Sequence, residues 1–283
     1  MQMNSNIELS EAQRDEFFEE GVIIIRNFFD IETEIRPIQR GIYEVIGLVA
    51  QRHGVEIDRE PLAGDNFDSG YLELIAIDRD FGSEVYDLVK QIPAFLRLVA
   101  SEKTEALFRR LRNTDVPGIG AASYGIRIDN PFEEKFRSQW HQEFLFQPQS
   151  LDGVVFWTPL VPVTEPMGPV VICCKSHRDG LCIYNKGKAY AAKTGAYRIG
   201  IDKEDQIVDR YERISPLTSP GDVILMDFLT IHQSGFNTAQ RSRWSVQYRL
   251  FNYREETGMR IGWKASVTAG TDVERIFPNN FRE

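Results

Sequence analysis

Hydrophobic and polar positions alternate with two different rhythms in this chain, and the change falls near residue 120. Before it the spacing is helical. LSEAQRDEFFEEG (9–21) puts Leu9 and the Phe17–Phe18 pair on a helical period, with Ser10 as a cap and Gly21 as a stop. VIIIRNFF (22–29) is a β-branched apolar run and predicts a strand. A helical pattern returns over 31–54, and two further helical segments are expected near 83–100 and 101–113. After Gly118 and Gly120 short β-type runs alternate with turns: AASYGIRI, QWHQEF, GVVFWTPLVPV, GPVVICC, DVILMDF and WSVQYRLFNY. Such a series predicts a jelly roll or barrel. The expected fold class is therefore α+β: a double-stranded β-helix, cupin-like, with the N-terminal helices packed on it. The whole of 1–283 is read as a single domain, with a mainly helical part (1–118), a jelly-roll core (119–255) and a C-terminal extension (256–283). A polar stretch over about 183–219 breaks the strand rhythm and is either a lid or a solvated excursion.

Composition narrows the class. No apolar stretch is long enough to span a bilayer, and the polar, acidic N-terminus lacks the basic and apolar regions of a signal peptide. A net charge of −9 argues against a nucleic-acid partner. Cys173, Cys174 and Cys182 contain no C-x-x-C pair and read as reduced thiols. The expectation is a cytoplasmic protein acting on a small molecule, with neither membrane nor nucleic acid as partner.

Candidate chemistry gathers in the second half. In His141-Gln142-Glu143 positions i and i+2 share a face if the run is a strand, so His141 and Glu143 point at one metal. Alone this is also what a surface His–Glu pair looks like. His232 follows an apolar strand about ninety residues later, and two histidines with one carboxylate form the facial triad of non-haem iron(II) enzymes. Arg243 lies eleven residues beyond (243 − 232) in an alternating run that puts Arg243, Ser245, Gln247 and Arg249 on one face. On an exposed strand that face looks outward. Inside a barrel, Arg243 and Ser245 form a clamp for a carboxylate, and a buried arginine needs an anionic partner. Asp227 is a candidate partner for the histidines. Arg241, Arg249, Arg254 and Arg260 read as a solvated basic edge or as an anion-binding patch. Of Phe144, Phe146, Phe156 and Trp157, most are expected in the core and some in a pocket.

Four ordered segments resemble the phytanoyl-CoA dioxygenase family of iron(II)/2-oxoglutarate oxygenases, over about residues 9–253: LSEAQRDEFFEEGVIIIRNFF, QWHQEF, FWTPLVPVTEPMGPVVICCKSHRDG and HQSGFNTAQRSR. The resemblance implies iron(II) on His141, Glu143 and His232, with 2-oxoglutarate and dioxygen as co-substrates. It implies that Arg243, helped by Ser234, meets the far carboxylate of 2-oxoglutarate. It places Trp157 and Gln142 in the co-substrate pocket, with Arg127 or Tyr124 reaching it from the preceding strand, and makes the Ser176-His177 dipeptide structural. The family usually carries H-x-D, and here the carboxylate is Glu143. Relatives that halogenate have a small residue there, so halogenation is disfavoured and hydroxylation is expected, with desaturation or ring closure left open. Two other classes stay open on the residues alone: a non-catalytic jelly-roll binding module, and a cupin-like zinc or manganese enzyme.

Overall fold

The computed structural model describes residues 9–120, 123–185, 200–263 and 276–282. Helix α1 (Glu11–Glu20) starts on a capping box in which Ser10 accepts from the Gln13 amide, and it stops at Gly21 with φ +75°. Strand β1 follows but covers only Val22–Ile25, shorter than the apolar run. Asn27 takes a left-handed conformation (φ +51°), and its amide and the Arg26 guanidinium are both held by Asp222, which turns the chain and buries Phe28 and Phe29.

Helix α2 (Arg36–His53) is preceded by a wider turn over Ile31–Ile35 that Asp30 caps. Its buried face carries Ile38, Ile42, Ile46 and Val49. The helical texture of 83–100 resolves into α4 (Arg79–Val89) and α5 (Pro93–Val99), because Pro93 lacks the amide that would continue a helix and instead opens the next one. α3 (Tyr71–Ile77) was not expected, and α6 (Glu102–Arg112) completes the layer.

The remaining chain is mostly antiparallel sheet. A large sheet runs in the order β1, β9 (Val223–Asp227), β4 (Gly153–Pro159), β11 (Arg243–Asn252) and β2 (Pro117–Ile119), and β3 (Gly125–Asp129) also pairs with β11. A smaller sheet joins β10 (His232–Ser234), β5 (Val170–Cys173) and β8 (Arg213–Ile214). A third comprises β6 (Tyr184–Asn185), β7 (Gly200–Ile201) and β12 (Phe281–Arg282). The fold is a jelly roll made of open sheets; among the described residues the strands do not close into a barrel.

Alternation assigns the two faces of the large sheet. Val154, Phe156, Val223, Leu225, Trp244, Val246 and Tyr248 pack outward into one core with the helices. Val155, Trp157, Ile224 and Met226 point the other way, into a second core shared with Val170 and Ile172 of the small sheet. The functional residues line this inter-sheet space. Much of the polar stretch, residues 186–199, lies outside the described residues, and its flanks form β6, β7, β8 and a short helix over Glu204–Val208. No described helix is long and apolar enough to cross a membrane.

Candidate metal centre

QWHQEF does not form a continuous strand. His141 makes an isolated antiparallel bridge to His232, each amide donating to the other's carbonyl at 3.1 Å, and the chain then enters a 3-10 turn over Glu143–Leu145. The bridge sets the imidazoles side by side, ring centroids 4.3 Å apart, and the turn swings the Glu143 carboxylate beneath them. Glu143 Oε2 lies 3.8 Å from His141 Nε2 and 3.9 Å from His232 Nε2. One ligand atom from each of the three residues lies within 4.8 Å of the other two.

Hydrogen bonding fixes how the rings present themselves. His141 Nδ1 lies 2.7 Å from the Gln139 carbonyl, and His232 Nδ1 lies 2.9 Å from that of Thr230. A carbonyl only accepts, so each Nδ1 donates its proton to it and each Nε2 is the ring nitrogen turned toward Glu143. These carbonyls occupy the place expected for Asp227, which instead pairs with Arg112 and caps the Leu229 amide. Burial, reinforced by the charge of His141, drives the His232 pKa down to about 3, so it is neutral at ordinary pH. Burial alone would raise the Glu143 pKa; the Arg249 charge and the two histidines outweigh it and hold the carboxyl well below the usual range. Two imidazoles and a carboxylate suit a borderline divalent metal such as iron(II), so the donor set fits the group the sequence implies.

Ser176 supports this arrangement from behind. Its hydroxyl donates to the Cys173 carbonyl at 2.7 Å and accepts from the Ile231 amide at 2.8 Å, fixing the residue before His232. The His177 ring lies 3.0 Å from the Phe18 carbonyl through Nε2, away from the cluster.

The cluster forms part of the wall of a cavity of about 240 Å³. Trp157, Arg127, Tyr124, Ser234 and Phe146 line it, as do Gln247 and Arg249. Three expected pocket residues are not among its lining. Gln142 faces the other way, as alternation from His141 and Glu143 requires. Its amide donates to the carbonyls of Gly180 and Leu229 and accepts from the Cys182 amide and the Tyr184 hydroxyl. It thus pins the 180–184 segment and has no group left for a ligand. Arg243 and Ser245 lie on the inner face of β11 but deeper, fully buried. The anionic partner that a buried arginine demands is supplied by the chain itself: Arg243 Nη2 donates to Asp129 Oδ2 at 2.8 Å, and Nη1 donates to the Gly168 carbonyl. Its Nε has no hydrogen-bond partner among the described residues. Asp129 also binds Arg127, and although burial opposes ionisation the two guanidiniums bring its pKa down to about 2.

The four arginines do not form one anion-binding patch. Arg241 pairs with Asp65 and Asp68, Arg254 with Asp115, and Arg260 is exposed. Arg249 belongs to the site instead, its Nε 3.0 Å from Glu143 Oε1. Its place on the Arg243–Ser245–Gln247–Arg249 face was the signal available in the sequence. Phe146 and Trp157 reach the cavity, while Phe144 and Phe156 are in the cores.

A jelly roll that brings two histidines and one carboxylate together on the wall of an inter-sheet cavity defines the facial-triad class. The sequence profile of the family Phytanoyl-CoA dioxygenase (PhyH) matches residues 17–245, and the chain belongs to that family. No curated protein sequence matches it. Similar solved structures include EctD from S. alaskensis with 2-oxoglutarate and 5-hydroxyectoine (18% identity, 89% of this chain and 79% of that one, TM-score 0.57). The non-heme alpha ketoglutarate dependent carbocyclase SnoK from nogalamycin biosynthesis is 16% identical over 89% of this chain and 87% of its own, with a TM-score of 0.56. AviO1 from Streptomyces viridochromogenes Tue57 is 13% identical over 88% and 98%, with a TM-score of 0.54.

Proposed function

We propose that this protein is an iron(II)- and 2-oxoglutarate-dependent oxygenase that hydroxylates a C–H bond of a small-molecule metabolite, releasing succinate and carbon dioxide. The observation that carries this reading is the pair of imidazole Nε2 atoms, turned by their Nδ1 carbonyl bonds to face one oxygen of an ionised Glu143. Bound there with 2-oxoglutarate, iron(II) would supply the oxidising power, coupling dioxygen reduction and co-substrate decarboxylation to C–H oxidation.

His141, Glu143 and His232 would hold the metal. Arg243, with Ser245 and Ser234 nearby, is our candidate for the far carboxylate of 2-oxoglutarate, because it is buried on the inner face with one N–H unmet. Arg127 is the second candidate, since it lines the cavity and shares Asp129 with Arg243. Trp157, Val155, Val170 and Met226 give the cavity an apolar wall that limits water. Gln147, Gln233, Gln247 and Ser138 give it polar positions that orient a substrate. SnoK and SnoN are titled a carbocyclase and an epimerase, so the same fold serves several outcomes. Hydroxylation is preferred here over halogenation because Glu143 fills the carboxylate position. The three cysteines are unpaired thiols, in keeping with a reducing cytoplasm.

The test is an anaerobic titration of the iron(II)-loaded protein with 2-oxoglutarate, following the visible metal-to-ligand charge-transfer band. The wild type should develop the band, and Arg243→Ala or Arg127→Ala should need about tenfold or more co-substrate, the loss of one charged contact of about 1.5–3 kcal/mol. Iron bound without a band would point to another metalloenzyme. No metal binding would point to a binding module.

A further inference from the structure

We propose that the substrate carries one anionic group, a carboxylate, and that Arg249 holds it beside the metal centre. The proposal rests on the oxygenase reading above and names the class of metabolite that the same cavity takes.

The charges around the cavity do not cancel. Arg127 and Arg249 line it, both largely buried, and Glu143 is the one acid among the described lining residues. Behind the wall, Asp129 is shared between Arg127 and Arg243. Three guanidiniums therefore stand against two carboxylates, an excess of one positive charge (3 − 2). Two further cations touch lining residues, and each has its own acid. Arg137 donates to Gln233 and pairs with Glu134, and Lys90 lies over the Tyr86 ring and pairs with Asp87. Loading the site leaves the excess as it is. The two charges of iron(II) offset those of the 2-oxoglutarate dianion, and a histidine that ligates a metal is neutral.

An unmatched charge in a largely buried site is costly, and an anionic ligand removes that cost. A single excess charge matches a carboxylate, whereas a phosphate monoester brings nearly two. Of the three arginines, Arg249 gives up least by taking a ligand. Arg127 donates from Nε to both oxygens of Asp129 at 2.9 Å and from Nη2 to the Phe136 carbonyl at 2.7 Å. Arg243 is fully buried against Asp129 and the Gly168 carbonyl and does not line the cavity. The contacts of Arg249 are longer: Nη2 donates to Glu143 Oε2 at 3.1 Å and to Gln247 Oε1 at 3.3 Å, and Nη1 donates to the Ser123 carbonyl at 3.3 Å. Nη1 keeps a second hydrogen for a ligand. Because Arg249 touches a metal-ligand residue, an anion on it brings its neighbouring carbons to the metal.

Pairs of probes matched in shape and differing in charge test this without turnover: acetate and acetamide, benzoate and benzamide, indole-3-acetate and indole-3-acetamide. Each is titrated anaerobically into protein loaded with iron(II) and saturating 2-oxoglutarate, and the shift of the charge-transfer band reports a ligand entering beside the metal. Wild type should bind the carboxylate of at least one pair about tenfold or more tightly than its amide. Arg249→Gln should lose that preference while still binding 2-oxoglutarate within about threefold of wild type. Gln247→Glu leaves Arg249 in place and adds an acid beside it, which cancels the excess charge, so it too should lose the preference. It decides alone should Arg249→Gln fail to take up iron(II). No preference for the carboxylate in any pair would overturn the proposal. So would a preference that survives in Arg249→Gln, or a loss of about tenfold or more in its 2-oxoglutarate affinity, which would assign Arg249 to the co-substrate. A wild type that binds iron(II) and never develops the band would overturn the oxygenase reading itself, whereas a band without carboxylate preference sinks this proposal alone.

Discussion

Gln142 sits between two metal-ligand candidates and does something else. Its side chain is fully buried and its amide uses both donors and the acceptor oxygen twice, tying the ligand turn to Gly180, Leu229, Cys182 and Tyr184. A buried amide satisfied on every side leaves several partners unmet when removed, each costing about 1–3 kcal/mol. Gln142→Leu should therefore lower unfolding stability by about 3 kcal/mol or more, measured by urea denaturation. A loss under about 1 kcal/mol would mean that water replaces the amide and the network is not structural. Ser176 makes a parallel case on a smaller scale. Ser176→Ala removes the acceptor of the Ile231 amide beside His232, and should cost about 1–2 kcal/mol in the same assay.

At the scale of elements, the joint between α1 and β1 shows how a local signal serves a distant site. Gly21 ends the helix at φ +75°, and its carbonyl accepts from the Asp227 amide and the Thr230 hydroxyl, next to the strand that carries His232. A Cβ at this position would lie 2.3 Å from His177 Nδ1 and 2.5 Å from Thr230 Oγ1. Gly21→Ala should therefore destabilise the protein by about 2 kcal/mol or more, since the left-handed backbone costs an alanine about 1–2 kcal/mol before the clash is counted. A melting temperature equal to that of wild type would show that the joint yields. Gly21 was legible in the sequence because a helix stop is a local signal, and β4, β9 and β11 were legible because alternation is local too. The H-x-E run was read as a strand, and its spacing brought the two ligands together, but the 3-10 turn depends on the reciprocal bridge with His232, which no local pattern reports. The same holds for charge pairing. Arg243 meets Asp129 across 114 residues and Arg249 meets Glu143 across 106, so a chain of alternating polar residues shows which face they share but not which acid each one finds.

At the scale of the whole molecule, Asp129 is where several parts meet. It belongs to β3, binds Arg127 of its own strand and Arg243 of β11, and Arg243 in turn holds the Gly168 carbonyl of the turn before β5. One carboxylate thus links the large sheet to the start of the small one. Its pKa is lowered to about 2 because the two guanidiniums outweigh burial. The sign of the linkage follows: a depressed folded-state pKa gives stability that is fully present above the unfolded value near 3.8 and is lost as pH falls toward 2. Asp129→Asn removes the charge at every pH and leaves two arginines short of an anion, so near neutrality it should cost about 3 kcal/mol or more. As wild type itself takes up the proton, the gap between the two proteins should narrow, by about 1 kcal/mol between pH 5 and pH 3 for the part of the shift titrated there. Denaturant curves of both proteins across that range check this, and other carboxylates cancel in the difference. A gap that stays constant would mean that Asp129 is not the ionised hub of the arginine pair, and that Arg243 is left without an internal counter-ion. Arg243 would then demand an anionic partner from outside the chain.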